Sequence, residues 1–115
     1  MRIYFIDVYY KIMIDKKNII IRKIIEANKD TFIIFFTYGC YYSEKALEIL
    51  RKNNLPYKGY DINMIDGGLQ KLLSVFNDNK ILLNYNPDHR TKPIIFINGK
   101  FLGGMTELES FVYKL

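Results

Sequence analysis

TFIIFFTYGCYYSEKALEILRK, residues 31–52, is the stretch on which the fold turns. TFIIFF (31–36) is a short continuous apolar run, the signature of a strand buried on both faces in the middle of an α/β sheet. Gly39 ends it. From 41 to 52 the period changes to that of a helix, with Ala46, Leu47 and Leu50 on one side and Glu44, Glu48 and Arg51 on the other. Cys40 stands at the junction of the two.

Working outward, Ile20, Ile21, Ile24, Ile25 and Ala27 recur at helical spacing and predict an amphipathic helix over 17–28. Before it, every even position from Tyr4 to Ile14 is apolar, while Asp7 and Lys11 fall on odd ones. That alternation predicts a strand with one buried face. The chain divides into an N-terminal extension, 1–18, carrying this extra strand, and a domain over 19–115. On the other side, NNLP stops the helix after Cys40 and YKGYDI (57–62) reads as a strand. Leu69, Leu72, Leu73 and Phe76 mark a helix face. Residues 77–90 form a long connection, irregular in part. IIFINGKFLGG (94–104) holds two apolar runs around Asn98-Gly99, a strong hairpin signal, and a helix over 106–114 closes the chain. Alternating strands and helices followed by a hairpin give an α/β fold with a mixed central sheet and helices on both faces.

The 115 residues suit one domain, half of them apolar and a quarter charged. The net charge of +5 is scattered apart from Lys16-Lys17, with no basic stripe interleaved by aromatics. A solvated basic surface is expected and nucleic acid is not expected as a partner; the balance also suits a small anionic ligand. One cysteine cannot form an internal disulfide, and a lone thiol belongs in a reducing cytoplasm. No apolar run is long enough to span a membrane, and the N-terminal stretch, broken by Asp7 and Lys11, does not read as a signal peptide.

A cysteine in the first turn of a helix faces unpaired N–H groups and the positive end of the helix dipole, which lower its pKa. A free cysteine is also often a small buried hydrophobe, and position alone leaves both readings open. His89, the lone histidine, is expected to be a solvated loop residue, although a catalytic base is conceivable so near Thr91. No ligand spacing for a mononuclear metal site exists.

Strand, Cys-Tyr-Tyr-Ser, helix resembles the active-site turn of the glutaredoxins, thioredoxin-like proteins that use glutathione. TKPIIFINGKFLGGMTEL (91–108) is similar to a second glutaredoxin segment: Thr-x-Pro, apolar strand, Asn-Gly, apolar strand, Gly-Gly, then an acidic helix start. The resemblance covers about residues 19–115. It implies that Cys40 is the catalytic thiol and that Pro93 is cis and faces it. Tyr42, Thr91, Lys92, Pro93, Gly104, Met105, Thr106 and Glu107 are implied to bind glutathione. Backbone at Lys92 would pair with the tripeptide, Gly103-Gly104 would let it come close, and Thr106 and Glu107 would hold its γ-glutamyl end; Thr106 also reads as a plain helix N-cap. The chain departs from the family at two places. Tyr41 replaces the usual proline after the cysteine, and Thr37 replaces the usual lysine that lowers the thiol pKa. Lys92, Arg90 and Lys58 are candidates to compensate. The Ile- and Tyr-rich composition resembles that of glutaredoxin-like proteins of large DNA viruses.

Ser43 cannot resolve a mixed disulfide, so the resemblance implies a monothiol route. Cys40 takes a glutathionyl group from a protein or small disulfide and a second glutathione releases it. Two alternatives stand beside this. One is a homodimer holding a [2Fe–2S] cluster through Cys40 of each chain and two glutathiones. The other is a non-catalytic interaction module. The expected partners are glutathione and glutathionylated disulfides, with the protein a monomer or homodimer.

Overall fold

The central strand forms over Phe32–Phe36 (β1), and all five of its residues are buried. It lies inside a four-stranded sheet of order β2-β1-β3-β4, whose other strands are β2 (Tyr57–Asp61), β3 (Ile94–Ile97) and β4 (Lys100–Gly103). β2 runs parallel to β1, while β3 is antiparallel to β1 and to β4, so the sheet is mixed. The computed structural model describes residues 19–114. The expected strand at 4–14, and the first two residues of the helix expected at 17–28, lie outside the described residues.

Helices cover both faces because β1 alternates between two cores. Ile33 and Phe35 point to one side, where they meet Ile21 and Ile24 of α1 (Ile19–Ile25) and Leu72, Val75 and Phe76 of α3 (Gly68–Asp78). Phe32, Ile34 and Phe36 point to the other. There they meet Ala46, Leu47, Ile49 and Leu50 of α2 (Tyr41–Lys52), and Leu108 and Val112 of the last helix (Met105–Val112). On the first side three phenylalanines form an edge-to-face cluster, with Phe76 5.4 Å from Phe35 and 4.9 Å from Phe96. Such pairs add about 0.5–1.5 kcal/mol each beyond the area they bury.

Local chemistry sets the ends of the elements. α2 stops because Asn54 adopts φ 53°; its N–H then donates to Arg51 O, and Leu55 N–H donates to Leu50 O. This is the hydrogen-bond pair of a Schellman cap, with Pro56 just beyond it. At 98–99 both residues have positive φ, 51° and 79°, as the tight hairpin turn requires. Asn98 also ties that turn to the start of β1: its Oδ1 accepts from Asp30 N–H at 2.8 Å and its Nδ2 donates to Asp30 Oδ1 at 3.1 Å.

Several expected boundaries move. The helix expected at 17–28 ends at Ile25, and β2 gives way at Ile62 to a 3₁₀ turn, Ile62–Met64. Asp61 stops the strand by accepting from Asn63 N–H at 2.9 Å. The 77–90 connection holds the last turn of α3 and a one-turn helix, α4 (Lys80–Leu83), which buries Leu83. The final helix, α5, begins at Met105 rather than 106 and ends at Val112.

Candidate active site

Cys40 occupies the N-cap of α2: its backbone is extended, with φ −91° and ψ 122°, and its carbonyl accepts from Glu44 N–H at 2.9 Å. An N-cap side chain faces the N–H groups two and three residues on, here Tyr42 and Ser43. Usually an oxygen accepts there; in this chain the atom is sulfur. Partial burial pushes the thiol pKa up, but the Ser43 N–H and hydroxyl, the Tyr42 N–H and the Thr37 hydroxyl together outweigh it. The thiol is held below its ordinary value. The thiol is free and half-buried, so it is not a fully buried small hydrophobe.

The turn before it is built to put the thiol there. Gly39 has φ 80°, a conformation that favours glycine, and its N–H donates to Glu44 Oε2 at 3.2 Å. Ser43 is fully buried and its Oγ accepts from Thr37 N–H at 3.2 Å. Tyr38, Tyr41 and Tyr42 stay exposed around the turn.

Beside this turn, Tyr42, Thr91, Lys92, Pro93, Gly104, Met105, Thr106 and Glu107 line one groove of about 270 Å³. All eight residues singled out for glutathione thus share one concavity, although they come from three separate segments. Cys40 itself is outside the lining; Tyr42, one half-turn into α2, connects it to the groove. The Lys92–Pro93 bond is cis, as the resemblance implies.

The groove also corrects several expectations. Its ninth lining residue is His89, which is half-buried rather than solvated. Its Nε2 lies 3.2 Å from Pro93 O, its ring packs 5.2 Å from Phe101, and its carbonyl accepts from the Tyr85 hydroxyl. Of the three cations considered as substitutes for the family lysine, only Lys92 lines the groove. Arg90 lines a different cleft with Gln70 and Tyr85, and Lys58 a third with Arg22 and Tyr60. Gly104, not Thr106, is the N-cap of α5.

Gly103 and Gly104 are explained by the protein's own packing. A Cβ on Gly103 would sit 2.5 Å from Glu107 Cβ, and one on Gly104 would meet His89 Cε1 at 3.0 Å. Glu107 is committed as well: its Oε1 accepts from Gly104 N–H at 2.7 Å, one half of a capping box.

Among the described residues no group of three or more His, Cys, Asp or Glu converges. A [2Fe–2S] cluster needs four ligands, and Cys40 is the one thiolate each chain would bring to the dimeric alternative, the rest coming from the second copy and from glutathione. Among the described residues no helix is long and apolar enough to cross a membrane.

Comparison with known proteins agrees with this geometry. A family model described as Glutaredoxin matches residues 32–102. A protein described as "Probable glutaredoxin", from Acanthamoeba polyphaga mimivirus, is 48% identical over 93 residues, 81% of this chain and 88% of the relative. The mitochondrial glutaredoxin-2 of Mus musculus is 33% identical over 75 residues, 65% of this chain but 43% of its own length. Among solved structures, a dithiolic glutaredoxin from Trypanosoma brucei brucei superposes with a TM-score of 0.62 at 24% identity, covering 83% of this chain and 87% of that one. The buckwheat glutaredoxin–glutathione complex superposes with a TM-score of 0.59 at 17% identity, covering 72% and 68%. At these identities the structures establish the thioredoxin-like fold.

Proposed function

The chain belongs to the glutaredoxin family of thiol–disulfide oxidoreductases, and on that premise we propose that it removes glutathione from mixed disulfides by a monothiol cycle through Cys40. The observation that carries this reading is the single groove lined by all eight expected glutathione contacts, beside the turn that holds a thiol of lowered pKa. The buckwheat relative was solved as a glutathione complex, which supports the choice of ligand.

The chemistry follows from one sulfur. The Cys40 thiolate attacks the glutathione sulfur of a mixed disulfide. The new S–S bond joins Cys40 to glutathione, the old one breaks, and the substrate thiolate leaves and takes a proton from water. A second glutathione, as thiolate, attacks the same glutathione sulfur. Glutathione disulfide departs and Cys40 is a thiolate again. Ser43 takes no electrons in either step.

The groove orients the tripeptide. Backbone at Thr91 and Lys92 pairs with its main chain, and the Lys92 ammonium meets a carboxylate. The first N–H groups of α5, at Met105 and Thr106, receive the other carboxylate, as helix N-termini do. A reducing compartment, the cytoplasm, is where such a thiol would persist.

Release of glutathione from a glutathionylated protein or small disulfide tests the reading. Cys40→Ser should reduce it to the uncatalysed rate. Activity retained in that variant would overturn the proposal.

A further inference from the structure

The Thr37 hydroxyl has so far entered only as one of the groups that lower the Cys40 thiol pKa. Thr37 is 4% exposed, and its Oγ1 is the buried side-chain oxygen that finds no regular hydrogen-bond partner among the described residues. Buried hydroxyls are almost always paired, so an unpaired one asks for an explanation. Thr37 is the first residue of the turn that ends at Cys40, and Gly39, third in that turn, has φ 80°. A four-residue turn with positive φ at its third position folds its two end residues back on one another. The turn brings Thr37 and Cys40 together, and the Thr37 hydroxyl is among the groups that lower the Cys40 thiol pKa.

We propose that the Thr37 hydroxyl is a hydrogen-bond donor reserved for the Cys40 thiolate, standing in for the lysine that this chain lacks at position 37. This rests on the thiol chemistry proposed above and names a further residue that serves it. A protonated thiol is a weak acceptor and leaves the hydroxyl without a firm partner. A thiolate is a charged acceptor, for which hydrogen bonds are shorter and about twice as strong. The bond therefore forms when the nucleophile does. Ser43 completes the arrangement: its oxygen already accepts from Thr37 N–H at 3.2 Å, so its own proton is left to donate. The charged group held against this turn is the Glu44 carboxylate, on Gly39 N–H at 3.2 Å. Its negative charge disfavours the thiolate, so neutral donors must carry the stabilisation.

The proposal can be tested on the thiol itself, without turnover. The test is the rate of Cys40 alkylation by iodoacetamide at fixed neutral pH in the full chain. Thr37→Val, which keeps the shape and removes the hydroxyl, should slow alkylation by about three- to tenfold, and Thr37→Ser should restore it. Melting temperature, measured at a pH low enough to keep the thiol protonated, should not fall in Thr37→Val, because an unpaired buried hydroxyl contributes nothing to that form of the fold. Unchanged alkylation in folded Thr37→Val would overturn the proposal. In the unmutated protein, the Thr37 Cβ resonance should titrate with the same midpoint as the thiolate absorbance; a Cβ shift indifferent to that titration would overturn it as well. Loss of thiol transfer with normal alkylation would instead count against the proposed function alone.

Discussion

Ser43 looks inert in a dithiol scheme, yet it is fully buried and its hydrogen bonds serve both the turn and the thiol. The consequence is a link between ionisation and folding. Cys40 has a lower pKa folded than unfolded, so over the intervening pH range the native state binds fewer protons than the unfolded chain. Stability relative to Cys40→Ser should therefore rise with pH. The gain is complete above the unfolded thiol value of about 8.5 and is lost as pH falls through the folded value. Ser43→Ala should flatten that rise while leaving the monothiol route open. Denaturant midpoints across this range check it, and a pH-independent difference between Cys40→Ser and the unmutated chain would contradict it. At this scale the sequence located Cys40 well, because a strand-to-helix break is visible as a change of period. It could not show what Thr37 and Ser43 do, since that depends on which atoms a turn brings together. His89 was misread for a related reason: loop packing leaves no periodic trace.

Among the elements, the junction of β4 and α5 has least room for change. Gly103 has φ 144°, where side chains are strained, and a Cβ there would overlap Glu107, whose carboxylate caps α5. Gly103→Ala should destabilise the protein by about 1–3 kcal/mol through this overpacking. It should also weaken glutathione binding by displacing the start of α5. Thermal denaturation and ligand titration measure the two effects, and an unchanged melting temperature would show that the junction yields easily. The central strand, the helix after Cys40, the α3 face and the hairpin were all legible, because each is a long periodic segment or carries a firm turn signal. The one-turn helix at 80–83 was not. A single turn has too few residues to show a period, and it forms because Leu83 has a core to enter.

For the molecule as a whole, the sheet of the described residues has β2 at one edge and β4 at the other. The 18 residues before Ile19 carry the alternating apolar face noted at 4–14, proposed here as an additional strand. Each large side chain left in water there would forgo roughly 1.5–3 kcal/mol. Deleting residues 1–14 should lower stability or solubility while leaving thiol transfer in place, and rapid amide exchange throughout 4–14 in the intact chain would argue against the strand. The site, by contrast, draws on α2, the 89–93 loop and the start of α5. No local segment contains it, so it exists only when the sheet has closed and is absent from the unfolded chain. Whatever fills the groove then acts on the folding equilibrium by mass action: at a free concentration a hundred times its dissociation constant it adds about 2.7 kcal/mol to the native state. On the function proposed above, the concentration of free glutathione is thereby coupled to the stability of the protein itself.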